Sequence, residues 1–534
     1  MKNEKQSWMP LIVVCLAMLS LYFLASGINV VIKKVYEDLN TTVSTIQLSL
    51  VLASLVSGSL MITAGKIGAK IGMKKTLIIG LVIFITGAII ALISPNESIF
   101  VMAWGFIWPL GMVLIVPTTV AMVTYYYQGT QRAMAFGVYG AVASLAVTLG
   151  PIGVGFLADQ ISWRYAMSIS PVLALVTILL AFKVQESEKD SSIKIDFPSV
   201  LLSFLGLATF LIGMMMGGTY GFIIEKRPFE LFGTILPLAG LSVVVLVMII
   251  AIVFMYLFMT RTKQLINTGK EPLIDPSIFS NKVYSAGLFS QTILYIVIPG
   301  ISFILPLFLQ SINAYGPSET ALTMLPGTAT MAVVALFTPN LGKFIAPKYI
   351  IISGFIIIVA STFLVLGGIG SQIGEISLTM PLIVFGTGAG LVMSQIANLT
   401  LSSVDISQAS EASGIAETFK EAIGGGFGIA LISTIVLGMW YSSFIDNQLA
   451  IEEKHLTDQE KTELVIKLED QINDGPTVKS SSYYNTLSKE SKDYFDQIDF
   501  ESGKYAITQT MWVIRLFLII AIGLSLLFPT TKLS

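Results

Sequence analysis

The chain has 534 residues, 54% apolar and only 12% charged, with a net charge of −2 and a mean hydropathy of +0.81. A soluble domain carries about 25% charge, so a water-soluble fold is excluded. So is a disordered chain, and there is no basic excess to attract nucleic acid. A single cysteine, Cys15, and a single histidine, His455, leave no disulfide framework, metal cluster, cofactor site or enzymatic constellation to expect.

A bilayer core of about 30 Å takes roughly 20 apolar residues per helix. Fourteen such runs follow one another, at 9–32, 46–64, 76–94, 99–125, 134–158, 165–183, 198–222, 233–258, 283–309, 319–341, 349–369, 378–403, 412–440 and 507–529. The first is too long for a signal-peptide core and lacks a small-residue cleavage site, so it reads as a retained helix. Basic residues cluster on one side of this count, with Lys66, Lys70, Lys74 and Lys75 after span 2 and Arg261, Lys263, Lys270 and Lys282 after span 8. The opposite loops hold Lys33, Lys34, Arg164, Lys226 and Arg227. That bias places both termini in the cytoplasm. The expectation is an all-α, multi-pass protein of the cell membrane.

Residues 441–506, between spans 13 and 14, hold seven lysines and fourteen acids. Thr457-x-x-Glu460 reads as a capping box, Leu464, Val465, Leu468 and Ile472 as an apolar stripe, and Gly475-Pro476 as a stop. Tyr483, Leu487, Tyr494, Phe495 and Ile498 form a weaker second stripe. Together they predict an external helical hairpin, with a solvated loop as the alternative.

Between spans 2 and 3 the chain reads Gly65-Lys66-Ile67-Gly68-Ala69-Lys70-Ile71-Gly72-Met73-Lys74-Lys75. It resembles the cytoplasmic loop motif of the major facilitator superfamily, glycine-x-x-x-Asp-Arg-x-Gly-Arg-Lys, through Gly65, Lys70, Gly72 and Lys74, with Gly68 as a further turn glycine. Ala69 stands where the family carries aspartate. In span 5, Gly150-Pro151-x-x-Val154-Gly155 is similar to the exporters' Gly-Pro-x-x-Gly-Gly, and Trp163-Arg164-Tyr165 follows it. Glu271-Pro272-Leu273-Ile274-Asp275, Leu325-Pro326 and Gly424-Gly425-x-x-Gly428 extend the likeness to the fourteen-helix drug:proton antiporter branch. Gly342-Lys343-Phe344 is a degenerate repeat of the first loop. The resemblance implies a six-helix bundle over 1–190, two linking helices over 191–282 and a second bundle over 283–534 carrying the 441–506 insertion.

The departures bear on mechanism. The branch places an aspartate in span 1 and an arginine in span 4, whereas here Leu24-Ala25-Ser26-Gly27-Ile28-Asn29 and Trp104-Gly105-Phe106-Ile107-Trp108 carry neither. Charge remains in the last two spans. Glu411, Glu417 and Glu421, with Lys420 among them, open span 13. They either decorate its cytoplasmic end or, at Glu417, hold a proton or cation. Arg515, read as two turns into span 14, either snorkels to the outer surface or faces an anionic group. Cavity candidates are Ser26, Asn29, Trp104, Trp108, Gln291, Tyr295, Gln395 and Asn398, each with an interhelical role as the alternative. Gly386-x-Gly388-x-Gly390 lies in an apolar helix, and no phosphate-loop spacing surrounds Gly65-Lys66, so neither reads as a nucleotide site.

These features predict a secondary transporter, an exporter of amphipathic compounds working by alternating access with possible proton coupling. One alternative is export of a lipid or lipid-linked precursor, for which missing cavity acids would be expected. The other is a non-transporting scaffold that engages an extracellular partner through 441–506. Membrane lipids and a small amphipathic or lipid-like substrate are the remaining expected partners.

Overall fold

With no water in a bilayer core, a spanning segment must satisfy its backbone N–H and C=O groups within itself, so the apolar runs fold as helices. The computed structural model describes all residues except 1–6, 128, 188, 190–194, 226, 232–233, 236–237, 239, 271, 343, 371–372, 374–375, 405–408, 452–488 and 531–534. Among the described residues, fourteen helical rods match the fourteen runs in order. The first seven are α1 (Met9–Asp38), α2 (Val43–Ile71), α3 (Met73–Leu92), α4 (97–126), α5 (Gly129–Gln160), α6 (163–181) and α7 (Phe197–Tyr220). The rest are α8 (Val243–Asn267), α9 (Lys282–Ser311), α10 (Pro317–Leu341), α11 (Pro347–Gly368), α12 (Thr379–Ser402), α13 (409–451) and α14 (Lys489–Ser525). All but α2 hold a segment long and apolar enough to cross a membrane, and α2 contributes the shorter stretch Leu48–Met61. Strand structure among the described residues is a two-residue antiparallel pair, Glu230–Leu231 with Thr234–Ile235, in the outer α7–α8 loop.

Polar caps set several helix starts. Thr42 accepts from the Thr45 N–H, Asn96 from the Ile99 N–H, and Asn281 from the Val283 and Tyr284 N–H groups. The eighth run reads as helical from 233, but α8 begins only at Val243. Gly240 adopts φ +82 and the Ser242 hydroxyl accepts from the Val244 N–H, so the first capped turn lies there. The helix then continues past Arg261, which bonds Asp196 at the start of α7 with N···O distances of 2.8 and 3.2 Å.

Where it is described, the 441–506 segment continues the flanking helices. The Trp440 indole donates to Asp499 at 2.8 Å, the Phe444 and Phe495 rings meet at 4.9 Å, and the Asn447 amide donates to Ser502 at 3.3 Å. Tyr494, Phe495 and Ile498 therefore belong to the first turns of α14. The predicted elements from Thr457 to Leu487, and His455, lie outside the described residues.

Among the first six helices, α1 packs along α5 and α6, and α3 along α4. Among the last six, α12 packs on α10 and α11, and α13 on α9 and α14. The two groups meet along α2–α13 and α5–α10, and α7 lies across both α2 and α13 with α8 outside it. Small residues permit these approaches. A Cβ on Gly58 would lie 2.5 Å from the Ala422 Cβ, and one on Gly155 would lie 3.0 Å from the Pro317 carbonyl oxygen.

Candidate functional site

Three charged side chains converge on α13. The Lys420 ammonium donates to the Glu417 carboxylate at 2.8 Å and stands 3.6 Å from that of Glu421. Lys420 is 8% exposed. The depth of the cluster follows from its neighbours: Gly424, one turn on, packs against Tyr295 and Gly428 against Ile296, residues at the centre of α9. Lys420 therefore lies within about 6 Å of mid-depth, at 1.5 Å of rise per residue. The cluster is interior, not rim decoration, because α13 begins at residue 409 and carries these residues inward.

Magnitudes explain why the charges are paired. Insertion scales put a lone central charge at about 2.5–3.5 kcal/mol, so three separate charges would cost as much as a domain's whole stability. Pairing at these distances returns about 4 kcal/mol per contact at an effective dielectric of 20. One carboxylate still has no cation of its own, since Lys420 serves both.

Five helices surround the cluster. The Lys420 ammonium lies 5.0 Å from the Tyr295 ring centroid on α9. Tyr22 on α1 and Tyr139 on α5 are within electrostatic reach of it. Ser54 on α2 lies 3.3 Å from where a Gly425 Cβ would stand. The backbone of α13 is π-helical from Phe419 to Phe427, a widened coil that recurs at functional sites. Three consecutive glycines, Gly424 to Gly426, let that stretch press against α2, α7 and α9. Nearby, Gln291 Oε1, Ser290 Oγ and Thr418 Oγ1 are buried without hydrogen-bond partners. Such atoms are costly unless something polar reaches them. The arrangement can exchange a proton or a cation at a carboxylate, with aromatic walls for an organic body.

Comparison with known proteins follows the same direction. The profile described as Major Facilitator Superfamily matches residues 14–258. A probable actinorhodin transporter of Streptomyces coelicolor is 25% identical over 422 residues, spanning 77% of this chain and 69% of that protein. The multidrug resistance protein Stp of Mycobacterium tuberculosis is 24% identical over 381 residues, 71% of this chain and 66% of its own length. The multidrug transporter protein MdtP of Bacillus subtilis is 24% identical over 386 residues, 72% of this chain and 66% of its own. An auto-inhibited peptide transporter of the POT family superposes with a TM-score of 0.58 at 11% identity, covering 98% of both chains. Over residues 14–258 the chain is similar to the major facilitator superfamily, and its solved neighbours share the fold. It is a multi-span membrane protein.

The loop that resembles the superfamily's motif has a clear local logic here. Gly72 takes φ +103 between α2 and α3, and a Cβ there would meet the Glu186 carboxylate at 2.6 Å. Glu186 accepts from the Lys74 and Lys75 N–H groups at 2.9 and 3.1 Å, an anion on a helix N-terminus. The Lys66 ammonium donates to the Pro272 carbonyl at 2.7 Å, tying α2 to the linker after α8. Lys70 is exposed, and Gly65 and Gly68 have room around them. In α5, Pro151 lies inside the helix, and Gly150 admits Ser26 of α1.

The other predicted residues scatter. The Ser26 hydroxyl donates to the Tyr22 carbonyl at 2.7 Å and approaches the Ala146 carbonyl at 3.4 Å, which makes it an α1–α5 contact. Asn29 lines a small open crevice with Lys33, Gln310 and Ser311. Trp104 and Trp108 stack on each other at 5.1 Å and continue through Phe100 to Trp163. They form a buried ladder inside the first six helices rather than a cavity wall. Gln395 is buried beside Ser394 at 3.1 Å, and Asn398 is exposed. Of the eight cavity candidates, Gln291 and Tyr295 flank the charged cluster.

Arg515 does not snorkel. Because α14 starts at Lys489, well before the predicted 507, Arg515 lies deep. Lys504 bonds the Gly370 carbonyl near one end and Lys348 bonds the Leu526 carbonyl near the other, and Arg515 is midway between residues 504 and 526. Its guanidinium is stacked at 3.6 Å on Phe363 and 4.4 Å from the Trp512 centroid, and Nε donates to Thr362 Oγ1 at 2.8 Å. Tyr22 and Tyr139 escaped the sequence reading, since phenols in separate apolar spans give no sign that they converge.

Proposed function

We propose that this transporter exports amphipathic compounds bearing a cationic group, in exchange for a proton, with Glu417, Lys420 and Glu421 as the exchange site. The observation that carries the proposal is one buried ammonium shared by two partly buried carboxylates where the two six-helix groups meet. A site with surplus negative charge in low dielectric holds a proton or an organic cation, and each displaces the other. Tyr295 offers a π face to an aromatic cation. Transport then follows from rocking of the groups about α2–α13 and α5–α10, which exposes the site to one side at a time. The relatives named for drug and antibiotic transport support an amphipathic cargo.

The test is proton movement driven by a lipophilic cation in proteoliposomes of the full chain. Glu417→Gln is expected to abolish that movement while the purified protein stays monodisperse. Export that is unaffected both by Glu417→Gln and by collapse of the proton gradient overturns the proposal.

A further inference from the structure

A guanidinium lies at mid-depth between α11 and α14 with no carboxylate beside it. Arg515 is 3% exposed, and about 16 Å of helix separates it from Lys504 on one side and from Leu526 on the other. Among the described residues, no Asp or Glu stands within salt-bridge distance of it. Its hydrogen bond runs from Nε to Thr362 Oγ1 at 2.8 Å, and Nη2 is buried without a partner. An arginine stays protonated and carries five N–H donors. The rings of Phe363 and Trp512 cover the charge but accept no hydrogen bond in the guanidinium plane. We infer that Arg515 is a membrane-facing binding site for the carboxylate of a lipophilic monoanion such as a long-chain fatty acid. The site lies off the α2–α13 and α5–α10 seams and stands independently of the exchange site on α13.

Depth selects the ligand. The hydrocarbon core is about 30 Å thick, so a phospholipid phosphate held at the interface stays about 15 Å short of Arg515. A hydrated inorganic anion would have to shed its water to travel that far. An anion with an apolar body of its own meets neither obstacle, because the core dissolves that body. The surface around Arg515 suits it. Ile356 and Phe363, two turns apart on α11, and Trp512, Leu516 and Ile519, at turn spacing on α14, are apolar and exposed. They face the hydrocarbon and give an acyl chain a place to lie. An exposed ring turns aside readily, which opens the way past Phe363 or Trp512 to the Nη groups. A carboxylate then brings one charge and two acceptor oxygens, the match to a guanidinium fork. Pairing neutralises a cation that is costly alone at this depth.

Trp512 reports on the site, since its ring centroid lies 4.4 Å from the guanidinium carbon. The probe is stearate carrying a nitroxide quencher near its carboxyl group, titrated into the full-length protein in phosphatidylcholine nanodiscs. Its methyl ester is the uncharged control. In the bulk bilayer the acid keeps its head at the interface, so binding is what brings the nitroxide to the depth of Trp512. Quenching in Trp512→Phe measures the other tryptophans and is subtracted. The acid is expected to quench Trp512 saturably, at a mole fraction about tenfold or more below that needed by the ester. Unlabelled oleate is expected to reverse it. Arg515→Gln is expected to abolish the acid–ester difference, and Arg515→Lys, which keeps the charge, to retain part of it. Equal quenching by acid and ester in wild type overturns the inference without any variant having to fold. So does an acid–ester difference that survives unchanged in an Arg515→Gln protein that melts cooperatively. Reversal by phosphatidylglycerol as effective as by oleate overturns it too, because it assigns the site to a headgroup phosphate.

Discussion

Gly58→Ala separates a seam that moves from one that only packs. A Cβ at Gly58 would lie 2.5 Å from the Ala422 Cβ and 2.7 Å from its Cα, where ordinary contact begins at 3.4 Å. The two backbones must therefore separate by about 1 Å, and overpacking of this kind costs about 1–3 kcal/mol. If the α2–α13 seam opens during transport, that cost falls only on the touching conformation. It then shifts the balance between conformations by about 5- to 150-fold and leaves global stability nearly unchanged. Gly150→Ala is the matched control. Its Cβ would lie 2.6 Å from the Phe23 carbonyl within the first six helices, where no rocking relieves the clash, so it should lower the melting temperature instead. The assay is pulsed dipolar spectroscopy between spin labels at exposed Lys70 and Tyr349, read beside thermal unfolding. A Gly58→Ala protein that melts as early as Gly150→Ala, with an unchanged distance distribution, refutes the reasoning.

Three other outcomes are expected. Asp196→Asn should loosen the α7–α8 pair by about 1–2 kcal/mol at neutral pH. The Arg261 hydrogen bonds and charge hold the Asp196 carboxyl down at about 2. A depressed folded value contributes stability above the unfolded pKa of about 3.9. That contribution is lost as pH falls towards 2, so the gap in melting temperature between variant and wild type should close over that window. Arg515→Gln and Phe363→Ala should each destabilise, with a coupling of about 1–2 kcal/mol in a double-mutant cycle, as a desolvated cation–π contact requires; additive effects would contradict it. Asp159 joins the Lys34 ammonium of α1 and the Ser318 N–H of α10, at 2.8 and 2.9 Å. Asp159→Asn should weaken this outer tie between the two groups and raise impermeant-maleimide labelling of Asn29→Cys several-fold, while unchanged labelling would show that the tie is not what closes the crevice.

Much of the molecule was legible along the chain. A spanning helix is dictated by length and apolarity, so the fourteen rods followed from composition alone. The turn at Gly72 was legible too, because the chain reverses between α2 and α3 through a positive φ that favours glycine. What misled was the placing of ends. Gly240 and Ser242 delayed α8, and the polar first turns of α14 hid eighteen residues of helix between Lys489 and 507. That shift alone moved Arg515 from the expected surface to mid-depth.

The site was legible only in part. Glu417, Lys420 and Glu421 are plain in the sequence, but their depth depends on where α13 begins and on which turn meets Tyr295. Trp104 and Trp108 share a helix face, yet that face turned towards Phe84 and Phe100 within their own group of helices.

The sequence by itself determined a membrane protein of fourteen apolar helical runs, because hydropathy acts locally and needs no partner. The tertiary structure decided which charges are buried and what surrounds them. Depth and the approach of Tyr295 to the Lys420 ammonium arise from the register between helices, and no single span carries that register.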